Sequence, residues 1–174
     1  MIAAMGFEAN VEATTALEDV HREHYRSLVR LASLLVDDVG TCEELVQDAF
    51  VAVFRKRRAV RDQAKLPAYL RSAVLNGARS HLRARQVRDR ERPLRVVRDA
   101  EGPEGGALAG DEHHAVLDAL RALPDRQREV LALRFYLELS EPEIAATLGI
   151  SAGTVKTHTR RGLEALALTL EDRR

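Results

Sequence analysis

The residues best equipped for chemistry lie in the run 139–162, LSEPEIAATLGISAGTVKTHTRRG. Thr154, Lys156, Thr157, Thr159, Arg160 and Arg161 supply hydroxyls and cations, and residues 152–162 contain no Asp or Glu. Such side chains suit the hydrogen-bonding edges of bases and the oxygens of phosphates. A second set, Asn76, Arg79, Ser80 and Arg83, recurs at helical spacing, and Arg85, Arg88 and Arg90 extend its positive charge. Enzymatic chemistry has no comparable foothold. The chain lacks a Gly-rich phosphate loop, a paired Cys/His set and a nucleophile motif, and its carboxylates fall on helix exteriors without a partnered base. Neither a catalytic residue nor a cofactor is expected. Adjacent His113 and His114 point to different sides of a helix, and the single cysteine, Cys42, has no second ligand nearby, so no metal site is expected.

The first set requires a helix-turn-helix. Ser140 suits an N-cap, Pro142 an early helical position, and Glu141 and Glu143 the positive end of the helix dipole. Ile144, Ala145 and Leu148 share one face, Gly149 permits a left-handed stop, and Ser151 caps a second helix. On that helix Val155 and Leu163 are expected to point inward, leaving the polar set toward a groove.

Upstream, Tyr25, Leu28, Leu31, Ala32 and Leu35 form an apolar stripe that ends at the turn-like Asp37-Asp38-Val39-Gly40. Thr41 is read as the cap of the next helix, with Glu44 in capping-box position. There Leu45, Val46, Ala49, Phe50, Val53 and Phe54 repeat inward, while Glu43, Glu44, Gln47 and Asp48 fall toward solvent. A third helix starts near Leu66-Pro67 and is expected to bury Leu66, Tyr69, Leu70, Ala73 and Val74. Downstream, Val116, Leu117, Leu120 and Leu123 form one amphipathic helix, and Val130, Leu131, Leu133 and Phe135 read as core of the next. No alternating strand pattern occurs. The fold class expected is all-α, with two small helical domains joined by a flexible linker and the helix-turn-helix in the C-terminal one. The boundaries are a disordered N-terminus over 1–15, a helical domain over 16–92, a Gly-rich linker over 93–110 and the helix-turn-helix domain over 111–174.

The 27 basic and 27 acidic residues cancel overall but are segregated. Residues 1–54 hold three basic and ten acidic residues, net −7; residues 55–98 hold fifteen and three, net +12. Residues 99–125 follow with one and seven (−6), and residues 126–174 with eight and seven (+1). The +12 block is an electrostatic footprint for nucleic acid, while the acidic first third suits a basic protein surface. Without a signal-peptide pattern or a long apolar run, a cytoplasmic protein with no membrane partner is expected.

Three stretches in order resemble the extracytoplasmic-function (ECF) sigma factors of bacterial RNA polymerase, in the sigma-70 family, and within them the actinobacterial sigma-E-like branch. They are EELVQDAFVAVF at 43–54, LPAYLRSAVLNGARSHLRAR at 66–85, and LPDRQREVLALRFYLELSEPEIAATLGISAGTVKTHTRRGLEAL at 123–166. The resemblance implies a sigma factor that binds core polymerase and recognises minus-ten and minus-thirty-five promoter elements. It assigns Glu44, Gln47, Asp48 and Phe50 to the β′ clamp helices. Asn76, Arg79, Ser80, Arg83 and Arg85 fall to the minus-ten element, and Thr154, Lys156, Thr157, Arg160 and Arg161 to the minus-thirty-five element. By the same resemblance the second domain rests on the β flap, and an anti-sigma factor is admitted as a further partner. Many members carry Trp where this chain has Tyr69, and this chain has no Trp. The competing reading is a stand-alone helix-turn-helix regulator binding an operator, which would leave the first domain's acidic and basic faces unexplained.

Overall fold

The computed structural model describes residues 2–56, 63–91 and 109–172, with side chains over 18–56, 64–90 and 114–172. Their regular structure is helical, and none of these residues is in a strand. Helix α1 spans Ile2–Leu35. Its apolar stripe Leu28, Leu31, Ala32 and Leu35 is buried as the spacing requires. Of the residues 1–15 expected to be disordered, those from Ile2 onward are part of this helix. They contain no Pro and several Ala, and extending an existing helix adds one hydrogen bond per residue without a new nucleus.

Helix α2 spans Val39–Arg55 and buries Cys42, Val46, Ala49, Phe50 and Val53. Its cap is Asp38, whose carboxylate accepts the Thr41 amide hydrogen bond at 2.6 Å, so the expected cap at Thr41 is displaced by one helical turn. Asp38 has the extended backbone of a cap, ψ 121°, and Thr41 is already the third helical residue. The bond from Thr41 also holds the Asp38 carboxyl below its ordinary value.

Helix α3, Leu66–Glu91, follows a 3₁₀ turn at Gln63–Lys65. It buries Leu66, Leu70, Val74, Leu75 and Ala78, whereas Tyr69, expected in the core, is 48% exposed. One residue turns a helix by about 100°, which places Tyr69 on the flank of the stripe through Leu66, Leu70 and Val74.

The expected linker, 93–110, lies outside the described residues except for Ala109 and Gly110, which begin helix α4, Ala109–Ala122. Helix α5, Asp125–Leu131, runs into a π-helical turn at Ala132–Tyr136, marked by a Leu137 N–H bond to the Ala132 carbonyl at 3.3 Å. Helices α6, Glu141–Leu148, and α7, Ala152–Glu171, complete the chain. Leu120, Leu123 and Leu131 pack with Ala165 and Leu166. In this half three expected core residues are exposed, Val116, Phe135 and Leu163, and on α2 the expected core residue Phe54 is exposed as well. The π turn keeps Leu133 inside and carries Phe135 outward. On α7 the inward positions are Gly162, Ala165 and Leu166, beside Leu163 rather than at it.

The two halves pack on each other. Leu34 of α1 meets the Leu120, Leu123 and Leu131 cluster, and the core of α1 to α3 continues into Leu133, Ile144, Leu148 and Val155. Among the described residues no helix is long and apolar enough to cross a membrane.

Candidate nucleic-acid interface

The turn between α6 and α7 has the expected chemistry. At Ser140 the backbone N–H and the hydroxyl donate to the Glu143 carboxylate at 2.8 and 2.6 Å, closing a capping box with Pro142 in the first turn. Those bonds, the side-chain one foremost, hold Glu143 below its ordinary value. Gly149 ends α6 at φ 66°, ψ 39°, a left-handed conformation that costs glycine little. Ser151 then caps α7 by accepting from Thr154 N at 3.1 Å.

Val155 anchors α7 in the core at 0% exposure. Lys156, Thr157, Arg160 and Arg161 are exposed, and Thr154 is half-buried against Ser151. The Thr157 hydroxyl turns back to the Gly153 carbonyl, and Arg160 pairs with Glu164 at 2.7 Å on the solvent face. These residues therefore share one accessible side of one helix. Arg134, not singled out in the sequence, and Glu141, read there only as a helix-start acid, join them: Glu141 lies 3.8 Å from both Arg134 and Lys156. Arg134 lies within the π turn and Glu141 and Lys156 beyond it, and this separation in sequence hid the cluster.

Helix α3 is more divided. Asn76, Ser80, Arg83 and Arg85 are exposed. Arg85 is engaged by Asp37 at 2.8 Å. For Asp37, the desolvation that raises its pKa is outweighed by the hydrogen bonds and by the Arg85 and Arg121 charges, and the carboxyl sits below its ordinary value. Arg79 faces the second half of the molecule. Its guanidinium forms a two-pronged pair with Glu129 of α5, one prong at 3.1 Å, and a third bond to Asn76 at 2.8 Å. Glu129 is 2% exposed and also accepts from Arg126 at 3.2 Å. Glu129 escaped the sequence reading. A lone acid beside Val130 and Leu131 at a buried helical position was the available signal.

On α2, Glu43, Glu44, Gln47 and Asp48 form an exposed acidic face as expected. Phe50, assigned to the same contact surface, is instead 8% exposed and lies 4.7 Å from the His21 ring. Position 50 is three residues from Gln47 and four from Val46, and the burial of Val46 fixes which side it joins. A cleft of about 330 Å³ opens between α2 and α3, lined by Val53, Lys56, Tyr69, Ser72 and Asn76. Cys42 is buried, and burial pushes its thiol up to about 11, so it is a packing residue. Among the described residues no three metal-binding side chains come together.

Two families match successive parts of the chain. Residues 20–88 match the family described as Sigma-70 region 2, and residues 113–166 match Sigma-70, region 4. The RNA polymerase sigma-E factor of Streptomyces avermitilis is 32% identical over 160 residues, covering 90% of this chain and 86% of that protein. The ECF RNA polymerase sigma factor SigW of Bacillus subtilis is 25% identical over 172 residues, covering 92% and 90%. Among solved structures, the sigma factor RpoE of Bartonella quintana, in complex with the anti-sigma factor NepR, superposes with a TM-score of 0.69 at 25% identity, covering 90% of this chain and 99% of that one. CnrH in complex with the cytosolic domain of CnrY shares the fold, with a TM-score of 0.70 at 24% identity over 94% and 97% of the two chains. The chain belongs to the extracytoplasmic-function sigma factors of the sigma-70 family, with region 2 in α1 to α3 and region 4 in α4 to α7.

Proposed function

We propose that this sigma factor divides promoter recognition between its halves, with the accessible polar side of α7 as the observation that carries the reading. In this division residues 16–92 dock on core polymerase and read the minus-ten element, residues 93–110 form the tether, and residues 111–174 read the minus-thirty-five element. Glu44, Gln47 and Asp48 present carboxylate and amide groups to the basic clamp surface. Asn76, Ser80, Arg83 and Arg85 face the opened strand, with Arg79 assigned to the same element although its guanidinium is paired with Glu129, and Thr154, Lys156, Thr157, Arg160 and Arg161 face duplex DNA. Phosphate contacts from the arginines set register, and Asn76, Thr157 and Lys156 read bases.

Strand opening costs a few kcal/mol per unstacked base, a cost that a chain of this size meets by docking on a larger enzyme. The chain itself carries no catalytic step and acts in the cytoplasm beside the polymerase. The relative RpoE was solved with an anti-sigma factor, which supports a similar inhibitor as a partner here.

Promoter-specific run-off transcription with purified core polymerase tests the reading. Robust run-off is expected. Asp48→Arg places a cation on the exposed acidic face and is expected to weaken core binding at least about tenfold, the equivalent of about 1.4 kcal/mol, with DNA binding by the isolated chain unchanged. Operator binding without any affinity for core polymerase would overturn the proposal in favour of a stand-alone regulator.

A further inference from the structure

The first turn of α6 carries two carboxylates that do different work. Glu143 closes the capping box, taking both Ser140 bonds on its Oε2, and so secures the helix start by itself. Glu141 has no part in that box and faces the recognition helix instead. Its Oε1 lies 3.8 Å from an Arg134 nitrogen and its Oε2 3.8 Å from Lys156 Nζ, beyond hydrogen-bonding reach of either. The side chain of Glu141 is 29% exposed and that of Lys156 69%, so the carboxylate sits behind an ammonium that stands out toward solvent. Arg134 of the π turn flanks the carboxylate on its other oxygen.

Exposed charge pairs of this kind contribute little to stability, so the consequence of the arrangement lies in what Lys156 presents to DNA. A lone ammonium is drawn to every phosphate alike, and that attraction carries no sequence information. A carboxylate beside it acts differently on the two kinds of contact. Bonding a phosphate brings a second anion toward Glu141, and the like charges repel. Bonding guanine O6 or N7 brings only neutral acceptors in the major groove, which the carboxylate does not oppose. Residues 152–162 hold no acid of their own, so this restraint on Lys156 comes from the neighbouring helix.

We infer that Glu141 is a specificity-determining residue, which weakens the contact of Lys156 with phosphate and spares its contact with guanine. It acts through Lys156 as a positioning residue. The inference rests on the proposed role of α7 as the reader of duplex DNA.

The test uses the full chain assembled with core polymerase. The wild-type holoenzyme first selects from a duplex library randomised over one long segment. The most enriched duplex, and the same duplex with its upstream enriched block scrambled, then serve as specific and non-specific probes across a salt series. Glu141→Gln is expected to raise affinity for the scrambled duplex about threefold, within what one exposed charge pair supports, and to steepen its salt slope by up to about 0.9. Affinity for the enriched duplex should stay near the wild-type value, so the ratio of the two falls about threefold. In a Lys156→Met background the same substitution should leave the ratio of that background unchanged, because the group it restrains is gone. Glu171→Gln removes one exposed acid at the far end of α7 and should keep the wild-type ratio, which separates the effect from a change in net charge. An unchanged ratio in Glu141→Gln, an equal fall in Glu171→Gln, or a full effect in the Lys156→Met background overturns the inference. Enrichment of no upstream sequence by the wild type removes the reading of α7 as a duplex reader. Enrichment with a ratio that ignores Glu141 leaves that reading standing and removes this one.

Discussion

Replacing Gly162 with alanine tests how region 4 seats its recognition helix without touching a proposed DNA contact. An alanine Cβ there would lie 2.9 Å from Leu131 Cδ1, 3.1 Å from Leu131 Cγ and 3.4 Å from Gln127 Cβ. Carbon atoms prefer about 3.5–4.0 Å. Leu131 is 3% exposed and packed with Leu120, Leu123 and Leu34, so rotating Cδ1 away relieves one contact and leaves the one at Cγ. Two effects compete. Gly→Ala inside a helix gains about 1 kcal/mol, while overpacking a tight site costs about 1–3 kcal/mol. The balance expected is a net loss of about 1 kcal/mol. Gly153, on the same helix, is the control: its Cβ would meet only Ser151 Oγ at 3.8 Å. Gly153→Ala is expected to stabilise by about 0.5 kcal/mol. Urea denaturation followed by far-ultraviolet circular dichroism reads both, since the chain has no Trp for fluorescence. Leu131→Ala alone costs about 2–5 kcal/mol, and combining it with Gly162→Ala should cost at least about 0.5 kcal/mol less than the sum. Equal stabilisation by the two glycine substitutions, or strict additivity with Leu131→Ala, would refute the packing argument.

Two further outcomes follow from the same half of the molecule. Arg160→Ala removes a solvent-facing cation from α7 and should lower affinity for minus-thirty-five duplex while sparing core binding. If its role is one phosphate contact, the slope of log affinity against log salt falls by about 0.9, whereas an unchanged slope would place Arg160 off the DNA. The Glu143 carboxyl is held below its ordinary value of 4.5 by Ser140, so its stabilising contribution is complete above that pH and is lost as pH falls through the lower folded-state value. The difference in thermal midpoint between wild type and Glu143→Gln should therefore narrow as the solution is acidified below pH 4.5, and a difference that widens would contradict the capping box.

The helix-turn-helix was legible almost residue by residue, because Ser140, Pro142, Gly149 and Ser151 each perform a local task that depends on their neighbours in sequence. The start of α3 and the acidic face of α2 were legible for a similar reason, since periodicity reports which side of a helix is wet. Errors arose where a partner distant in sequence decides the outcome. Phe50 and Gln47 can be separated only by knowing which side α1 covers, and His21 supplies that information from twenty-nine residues away. Leu163 and Phe135 fit an ideal helical repeat, but Gly162 sets the close approach of α7 to α5 and the π turn breaks the repeat. Glu129 was invisible for the strongest form of this reason: its partner Arg79 lies across the interface between the two halves, 50 positions earlier.

The π turn at Ala132–Tyr136 has a bearing on how this region tolerates change in length. A π turn holds one residue more than the α-helical turn it replaces, so it acts as a stored insertion, shifting the phase of everything downstream by about 100°. Removing one residue here would restore an unbroken α-helix and rotate the following segment as a body, keeping the helix-turn-helix intact while aiming α7 elsewhere. Ile144, Leu148 and Val155 meet the core of α1 to α3 in the register that this one supernumerary residue sets, so the seating of region 4 on region 2 depends on it.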